Sequence, residues 1–420
     1  MMPMKEPVMP DLLKQASEPF SALIGVAPLM RRAFYQEDLK PLGAVLLERA
    51  QNHPDDANAY LDCSTVLQLI GHRDTALAMQ AQAIAIQNLY SLPANQQAPG
   101  LRLLAIMGPG DLMANTPLEF LLEESDVAVD LLFVTPDTDF PEMVPDHDVM
   151  MVAIAESDQN QALLAMMQPI AANWPRPVLN LPEHIAVLSR DGVCAALKGI
   201  AGVDMPLTIR CQRADLQSLA TAELALQALL PDDDFPLIFP LIVRPLGSHA
   251  GHDLDKINDR IELAAYLERV EGEQFYLSRF VDYRGSDGLF RKYRLAMIDG
   301  RAYVCHFAVS SHWMVHYLNA GMNESAEKRA EEAACMANFE HEFAARHATA
   351  IQAICQHLQL PYFGLDCAET LSGDLLIFEG DNAMIVHAMD PEDLYPYKKP
   401  AMQKVFTAFR ALLEKLRQPE

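Results

Sequence analysis

Three acidic side chains near the end of the chain, Asp366, Glu379 and Asp381, have the spacing of a cation site. The apolar run LLIFE leads into Glu379, and Glu379 and Asp381 share one face of that strand because side chains alternate along it. A turn at 372–374 folds the chain back, so that Asp366 comes near them. Three carboxylates gathered in this way repel one another unless a cation lies between them, and such oxygen ligands suit Mg²⁺ on nucleotide phosphates. The alternative is a solvated sheet face.

Two arginines and a glycine-containing loop could face the same nucleotide. Arg244 ends an apolar strand in VRPLGSHAGH, and Gly247, Ser248 and Gly251 follow it in a loop. Backbone amides freed by glycine can approach phosphate oxygens, and an arginine can pair with them bidentately. Arg294 lies on a predicted strand in KYRLAMIDG, where it could stabilise a transferring phosphoryl group or an acyl-phosphate. Each arginine taken singly is also typical of a surface ion pair.

The elements that would position these residues fall into three parts along the chain. Residues 1–91 are predicted to be mostly helical, since apolar residues recur at helical spacing and no alternating pattern appears. Residues 100–182 alternate short apolar strands with helices, which predicts a small parallel sheet. Residues 183–420 contain two predicted hairpins, a long helical stretch and a closing helix. The predicted fold class is therefore α/β, preceded by an all-α region.

Part of the helical region is similar to a tetratricopeptide repeat. In HPDDANAYLDCSTVLQLIGHRDTALAMQAQAIAIQ, Pro54 ends one helix, Gly71 supplies a tight turn, and Ala76 and Ala83 are small residues where two helices approach. The segment 40–50 is interpreted as part of an earlier, degenerate repeat. One repeat cannot bury its own face, so it must pack on neighbouring helices or on the rest of the chain. This surface either binds a protein or peptide partner, including a second copy in a homodimer, or only caps the fold.

The composition of the chain narrows the class of partner. Its 420 residues include 57 acidic and 32 basic ones, a formal charge of −25, which opposes binding to nucleic-acid phosphates or anionic membranes. Seven scattered cysteines lack metal-site or redox spacing, which is typical of a reducing cytoplasm. The sequence has no apolar run that predicts a signal peptide or a membrane span. We therefore expect a cytoplasmic protein with a small-molecule or peptide substrate and no nucleic-acid or membrane partner.

The order and spacing of these features resemble the ATP-grasp ligases, a superfamily that includes D-alanine–D-alanine ligase, glutathione synthetase and the ribosomal-protein glutamate ligase. The resemblance covers about residues 100–415, with the small parallel sheet as the pre-ATP-grasp domain. NLPEHIAVLSRD and GVDMPLT are similar to the first helix and extended stretch of the ATP-binding part. VRPLGSHAGHDL is similar to its glycine loop, and YLSRFVD to the hinge that contacts adenine. The step from Asp366 to Glu379 equals that of D-alanine–D-alanine ligase.

This resemblance implies an ATP- and Mg²⁺-dependent enzyme that joins a carboxylate to an amine through an acyl-phosphate. It implies a metal set of Asp366, Glu379 and Asp381, and it gives Arg294 the role of steadying the oxyanion. It also implies that the nucleotide contacts Arg190, Arg244, Gly247, Ser248, Gly251, Arg279, Phe280, Val281 and Asp287. The substrate of such an enzyme could be an amino acid or a peptide, and acceptor specificity could be set by His306, His312, Trp313 and His316.

The sequence departs from the family pattern at several positions. Gly192 stands where the family has a lysine, and Arg244 stands where it has another, so Arg190 and Arg244 would take over the phosphate contacts. Asp381 replaces the family's asparagine, and Arg279 occupies the slot of a hinge glutamate, which leaves Asp282 or Asp287 to reach the ribose. Two other functions stay open: an ATP-dependent kinase on the same fold, and a non-catalytic ATP-grasp-like scaffold with a helical interaction domain.

Overall fold

The computed structural model describes residues 8–96, 98–230, 237–248 and 251–417, and the chain forms two compact units. Unit 1 comprises the described residues of Met1–Ala186, Leu360–Phe363 and Asn382–Glu420. Unit 2 comprises those of Val187–Gln359 and Gly364–Asp381. Helices and strands occur in both units, as the α/β prediction requires. The predicted three-part division of the chain stays a prediction.

Five helices open unit 1, in the region predicted to be helical: α1 Met9–Ser17, α2 Val26–Phe34, α3 Lys40–Asn52, α4 Ala57–Leu69 and α5 Arg73–Ile86. Asp56 caps α4 by accepting the amide of Ala59 at 3.2 Å. Gly71 makes the turn between α4 and α5 at a φ of +85°, which glycine adopts without strain. Apolar side chains of α1 to α4 form a buried cluster that includes Leu12, Leu29, Leu42, Leu46 and Val66. Membership of a repeat family stays a prediction.

A five-stranded sheet follows in unit 1. Its elements are β1 Leu89–Leu92, β2 Leu101–Met107, α6 Leu118–Leu121, β3 Val127–Phe133, β4 Val149–Val152, α7 Gln161–Ala172, β5 Val178–Leu179 and α8 Pro182–Ile185. The strand order is β1-β3-β2-β4-β5, with β2, β3, β4 and β5 parallel, as predicted. Strand β1 pairs antiparallel with β3; it begins inside the region predicted to be mostly helical and was not predicted. The four residues of β1 are too few to show the alternation of apolar and polar side chains that is typical of a strand. Their pairing with β3 therefore determines their conformation.

Unit 2 begins with a four-stranded antiparallel sheet. The first elements of unit 2 in chain order are α9 Arg190–Leu197, β6 Val203–Asp204, β7 Thr208–Gln212, α10 Arg213–Ala220, β8 Leu241–Pro245, β9 Asp255–Ile257, α11 Arg260–Arg269 and β10 Gln274–Arg279. Strand β6 belongs to the second sheet of the unit. The strand order of the first sheet is β7-β10-β8-β9. Helices α10 and α11 pack together, and their apolar residues form one buried cluster with the sheet, including Leu216, Leu219, Leu263, Val243 and Leu277.

The second sheet of unit 2 holds the residues that the sequence singled out. Its elements are β11 Phe290–Ile298, β12 Arg301–Ser310, α12 Ala326–Asn338, α13 Phe343–Arg346, α14 Ala348–Leu358, β13 Tyr362–Glu369 and β14 Leu375–Asp381. The strand order is β12-β11-β13-β14-β6. Both predicted hairpins form. In the first, Asp299 and Gly300 take left-handed φ values of +50° and +78°, the pattern of a two-residue hairpin turn. The stretch predicted as one or two helices forms three.

The closing helix α15, Lys398–Leu416, has its predicted position and belongs to unit 1. Its buried face includes Met402, Val405, Phe409 and Leu413, which recur at helical spacing. Arg410 of the same helix pairs with Asp126 at 2.6 Å. All seven cysteines are free thiols. None of the helices in the described ranges is long and apolar enough to cross a membrane.

Candidate functional site

The hairpin of β13 and β14 brings two of the three predicted acids together. Asp366 and Glu379 are direct cross-strand partners, so their side chains share a face of the sheet. A bulge between Asp366 and Cys367 shifts the register and places Phe378 outside the regular pairing. At the end of the hairpin, Gly373 turns the chain with a φ of +87°. The prediction that Asp366 stands beside Glu379 is confirmed in this geometry.

Two cations of β11 hold the carboxylate of Asp366. Lys292 Nζ lies 2.6 Å from Oδ2, and Arg294 donates from Nε to Oδ1 at 2.8 Å and from Nη2 to Oδ2 at 3.0 Å. Lys292 and Arg294 are two positions apart, so the strand puts both on one face. The side chain of Asp366 is 1% exposed, while those of Lys292 and Arg294 are 23% and 32% exposed. The acid is buried and its cations reach the solvent.

The environment of Asp366 fixes its protonation state. Burial by itself would raise the pKa of this carboxyl, but the charges of Arg294 and Lys292 outweigh that effect and hold the pKa well below its usual range. For Arg294, burial would lower the pKa, and the facing charge of Asp366 raises it above the ordinary value. Asp366 is therefore ionised and Arg294 protonated at neutral pH.

Glu379 has a cation of its own at the start of α9. Arg190 donates from Nη2 to Glu379 Oε1 and lies on the first turn of a helix that Ser189 caps by accepting the amide of Gly192 at 3.1 Å. Burial would raise the pKa of Glu379, and the neighbouring Asp366 adds to that effect, but Arg190 and Arg244 lower it below the usual value. The acid is ionised as well.

Arg244 at the end of β8 is the most buried cation of the group. Its side chain donates from Nε to Ser248 Oγ at 3.0 Å and from Nη2 to Ser248 O, and the residue is 7% exposed. Burial and the charge of Arg190 lower its pKa to about 10, although Glu379 opposes the shift. Arg244 therefore belongs electrostatically to the same cluster as Glu379 and Arg190.

We call the six charged side chains on this face the phosphate cluster: Arg190, Arg244, Lys292, Arg294, Asp366 and Glu379. The charges of at least two of these cations lower the pKa of each acid. Four positive charges face two negative ones, so the cluster carries a surplus of two positive charges. Such a surplus, partly shielded from water, favours a polyanionic ligand.

The third predicted acid, Asp381, lies two residues after Glu379 on β14, in a continuous register, so the strand puts both on one face. It pairs across the hairpin with Gly364, at the end of β14. Among the described residues, no group of three or more His, Cys, Asp or Glu side chains is arranged to hold a metal ion. Asp366 and Glu379 still fit Mg²⁺, because Mg²⁺ on a nucleotide usually takes one or two carboxylates and fills its other positions with phosphate oxygens and water. The three-acid metal set stays a prediction.

The predicted glycine loop follows β8, and its residues 249 and 250 lie outside the described residues. Gly247 and Gly251 have φ values of +71° and +75°, a region that glycine occupies without strain. At Gly251 an added Cβ would come within 3.1 Å of Met314 Sδ, so the loop backbone approaches the segment after β12 closely. Ser248 lies in the loop and contacts Arg244.

The predicted hinge residues surround the end of β10, and most have partners of their own. Arg279 pairs with Asp204 at 2.5 Å, and Phe280 lies under Lys256 Nζ, 4.1 Å from the ring centroid. Val281 makes no backbone hydrogen bond within the part of the chain that the structure describes. Asp287 is held by Arg291 at 2.7 Å. Of these four residues, Val281 is the one without such a partner among the described residues.

Sequence reasoning did not single out Lys292. The signal was present, since Lys292 stands two residues before Arg294 on a strand whose period is two. His316, in the segment after β12, also belongs near the phosphate cluster. Its Nδ1 is buried and has no hydrogen-bond partner among the described residues, and burial together with the charges of Lys292 and Arg294 lowers the pKa of His316. An imidazole in this setting is neutral at physiological pH.

Many solved structures are similar to the chain, among them an ATP-grasp protein and a ligase. A RimK domain protein ATP-grasp from Sphaerobacter thermophilus is 14% identical, with a TM-score of 0.39 over 73% of this chain and 98% of that chain. The VanG D-Ala:D-Ser ligase from Enterococcus faecalis is 13% identical, with a TM-score of 0.46 over 77% of this chain and 100% of that chain. No family model matches the chain, and no curated protein matches it. Its function must be inferred from its own residues.

Proposed function

We propose that unit 2 binds ATP with its phosphates against the phosphate cluster and uses it to join a carboxylate to an amine. The observation that carries the proposal is the surplus of positive charge around the cross-strand pair Asp366 and Glu379. A triphosphate matches four clustered cations, and three of them are arginines, whose planar donors suit phosphate oxygens. The predicted glycine loop, with Gly247 and Gly251 in left-handed conformations, supports contacts from backbone amides.

The end of β10 is the proposed position of the adenine ring. The free backbone groups of Val281 could pair with the ring edge, and Phe280 could pack on its face. Arg279 is engaged with Asp204 and Asp287 with Arg291, so their direct roles in nucleotide binding remain proposals that need those ion pairs to open. The sequence resemblance to ATP-grasp ligases points to the same arrangement.

Asp366 and Glu379 are the proposed holders of Mg²⁺, which would offset the charge of the phosphates when it is bound with ATP. Lys292 and Arg294 reach the solvent and could turn from Asp366 to the phosphates as these enter. Arg190 could turn from Glu379 in the same way. The ion pairs seen here would then keep the two acids ionised and their cations in place before the nucleotide arrives.

The proposed reaction has two steps. An oxygen of the substrate carboxylate attacks the γ-phosphorus of ATP, which forms an acyl-phosphate and releases ADP. The amine then attacks the acyl carbon, and inorganic phosphate leaves as the amide forms. Arg294 is the proposed stabiliser of the negative charge that develops on the acyl oxygen. We also propose an amino-acid or peptide substrate, a cytoplasmic location and a protein or peptide partner for the N-terminal helices.

Calorimetric titration with ATP and Mg²⁺ tests the nucleotide site. Arg244→Met and Lys292→Met should each weaken ATP binding by about tenfold or more, because each removes a charge-assisted hydrogen bond worth about 1.5–3 kcal/mol. Arg269→Gln is the matched control, since this arginine of unit 2 is 55% exposed and its ion pairs are with the partly exposed Asp253 and Asp255. Unchanged affinity in both cluster variants would contradict the site.

The products formed from ATP distinguish the three functions that the sequence left open, which are a ligase, a kinase and a non-catalytic scaffold. ADP release is measured with a panel of amino acids and peptides, and the products are analysed by mass spectrometry. An amide product supports the ligase, a stable phosphorylated product supports the kinase, and ATP binding without ADP release supports the scaffold. Glu379→Gln should abolish ADP release in either enzyme while the protein stays folded, and retained turnover would remove Glu379 from the metal set.

A further inference from the structure

His316 lies in the segment after β12 and has a ring nitrogen without a hydrogen-bond partner in the described part of the chain. This nitrogen, Nδ1, is buried, although the residue as a whole is partly exposed. A buried polar atom that makes no hydrogen bond costs free energy, and in a native protein such an atom calls for a partner that the chain does not supply. His316 can therefore take one polar contact from a ligand.

The hairpin of β11 and β12 determines which face of the sheet His316 lies on. Arg294 of β11 pairs across the hairpin with His306 of β12, so these two side chains share one face. The ring of His306 packs against the ring of Tyr317, the residue after His316, with the centroids 4.6 Å apart. The segment after β12 therefore folds back over the face of the sheet that carries Lys292 and Arg294.

Contacts of the neighbouring residues hold this segment in place. Glu332 of α12 is 0% exposed, and its Oε2 accepts the hydroxyl of Tyr317 at 3.1 Å while its Oε1 accepts a backbone amide of β12 at 3.0 Å. Met314 lies against the predicted glycine loop, because a Cβ added at Gly251 would come within 3.1 Å of its Sδ. His316 is therefore positioned by the residues on either side of it, and its Nδ1 is not needed to hold the segment.

The charges around His316 indicate what kind of group would reach it. Lys292 and Arg294 of β11 and Asp366 of β13 are the charged groups that act on the ring; burial and the two cations lower the pKa of the imidazole, and Asp366 opposes them. The ring is therefore neutral at physiological pH and carries one N–H donor. Since the two cations attract an anion to this place, the group that meets Nδ1 is an anionic oxygen, which accepts the hydrogen bond.

We propose that His316 is a ligand of the terminal phosphate of ATP, to which it donates a hydrogen bond from Nδ1. The inference rests on the function proposed for unit 2, in which Arg294 acts at the end of the nucleotide where the acyl-phosphate forms. Lys292 and Arg294 reach the solvent and turn from Asp366 to the phosphates as these enter, so the imidazole beside them meets the same end of the nucleotide. His316 thus adds a neutral donor to the four cations, and this donor distinguishes ATP from ADP.

The whole protein is titrated by calorimetry with ATP and Mg²⁺ and, separately, with ADP and Mg²⁺, since ADP lacks the terminal phosphate. His316→Leu removes the donor and should weaken ATP binding at least about tenfold, while its ADP affinity should change less than about twofold. His316→Asn places an amide nitrogen at the position of Nδ1 and should keep the ATP affinity within about threefold. His316→Gln places its amide nitrogen at the position of Nε2 instead and should behave like His316→Leu.

His341→Leu is the control variant, because His341 lies between α12 and α13 of the same unit and is exposed. This variant should bind both nucleotides like the unmodified protein. If His316→Leu does not fold, the comparison of His316→Asn with His316→Gln still tests the contact.

Two results would overturn the inference and leave the proposed nucleotide site standing: full ATP affinity in His316→Leu, or equal losses of ATP and ADP affinity. Equal losses would give His316 a structural role only. If the unmodified protein binds neither nucleotide, the function proposed for unit 2 is refuted, and the inference about His316 with it.

Discussion

The ion pairs of Asp366 allow a quantitative test of how unit 2 is stabilised. Replacing Arg294 by Gln removes two of the three contacts to a carboxylate that is 1% exposed, and leaves Lys292 as its only cation. Breaking a buried ion pair by removing one partner costs about 3–5 kcal/mol. Because Lys292 remains at 2.6 Å, we expect a loss near the lower limit, about 3 kcal/mol. Replacing Asp366 by Asn should cost less, since both cations reach the solvent.

The assay uses tryptophan fluorescence during urea unfolding. The chain has two tryptophans, Trp174 in unit 1 and Trp313 in unit 2, so a Trp174→Phe background reports on unit 2 alone. A double-mutant cycle of Arg294→Gln and Asp366→Asn should give a coupling free energy of about 2 kcal/mol. The exposed control Arg269→Gln should cost less than about 1 kcal/mol. If Arg294→Gln costs no more than this control, the buried-pair argument is refuted.

Three further predictions concern stability. Burial raises the pKa of Asp62 to about 7, so the folded state keeps a proton that the unfolded state loses near pH 4. The free energy of unfolding of unit 1 should therefore fall by up to about 4 kcal/mol between pH 4 and 7. Asp62→Asn should make this pH dependence smaller, as measured by the fluorescence of Trp174 in a Trp313→Phe background. Arg49→Met breaks a pair with Asp56 in which both side chains are at most 2% exposed, and should cost about 3–5 kcal/mol in the same assay. Gly251→Ala, at a φ of +75°, should cost about 1–2 kcal/mol, read from Trp313.

A different result would contradict each of these three predictions. A stability of unit 1 that rises steadily from pH 4 to 7 would show that Asp62 is ionised in the folded state. An Arg49→Met variant as stable as the parent would mean that Asp56 finds another partner. For the glycine, Gly247→Ala provides the comparison, because its φ is similar and an added Cβ meets nothing within 4 Å. A lower cost at Gly251 than at Gly247 would exclude any contribution from Met314.

The parts of the site that could be predicted are the ones that local sequence determines. The hairpin of β13 and β14 has apolar strands and a turn containing Gly373, and these fix the approach of Asp366 to Glu379. The parallel strands of the small sheet were predictable for the same reason, because each is a short apolar run with turns at both ends. Arg294 was found because it lies on a strand with a clear hairpin partner.

The parts of the fold and the site that could not be predicted depend on contacts between residues that are distant in the sequence. The pairing of Lys292 and Arg294 with Asp366 joins strands about seventy residues apart, and nothing in either segment specifies the other. In unit 1, Asp62 of α4 accepts the amides of Ile24 and Gly25, and Glu119 of α6 accepts that of Ala27, although both look like ordinary surface acids in the sequence. Strand β1 was missed because its partner β3, not its own pattern, makes it a strand.

The division of unit 1 along the chain has a consequence for biosynthesis. Unit 1 is made of residues up to 186 and of segments that begin at 360 and 382, so α15 is translated only after all of unit 2. Domains generally fold as they leave the ribosome, amino-terminal parts first. Unit 2 can therefore fold while unit 1 still lacks Phe409 and Leu413 of its core, and Arg410, which pairs with Asp126. During this interval the apolar surface of unit 1 that α15 will cover is exposed to solvent.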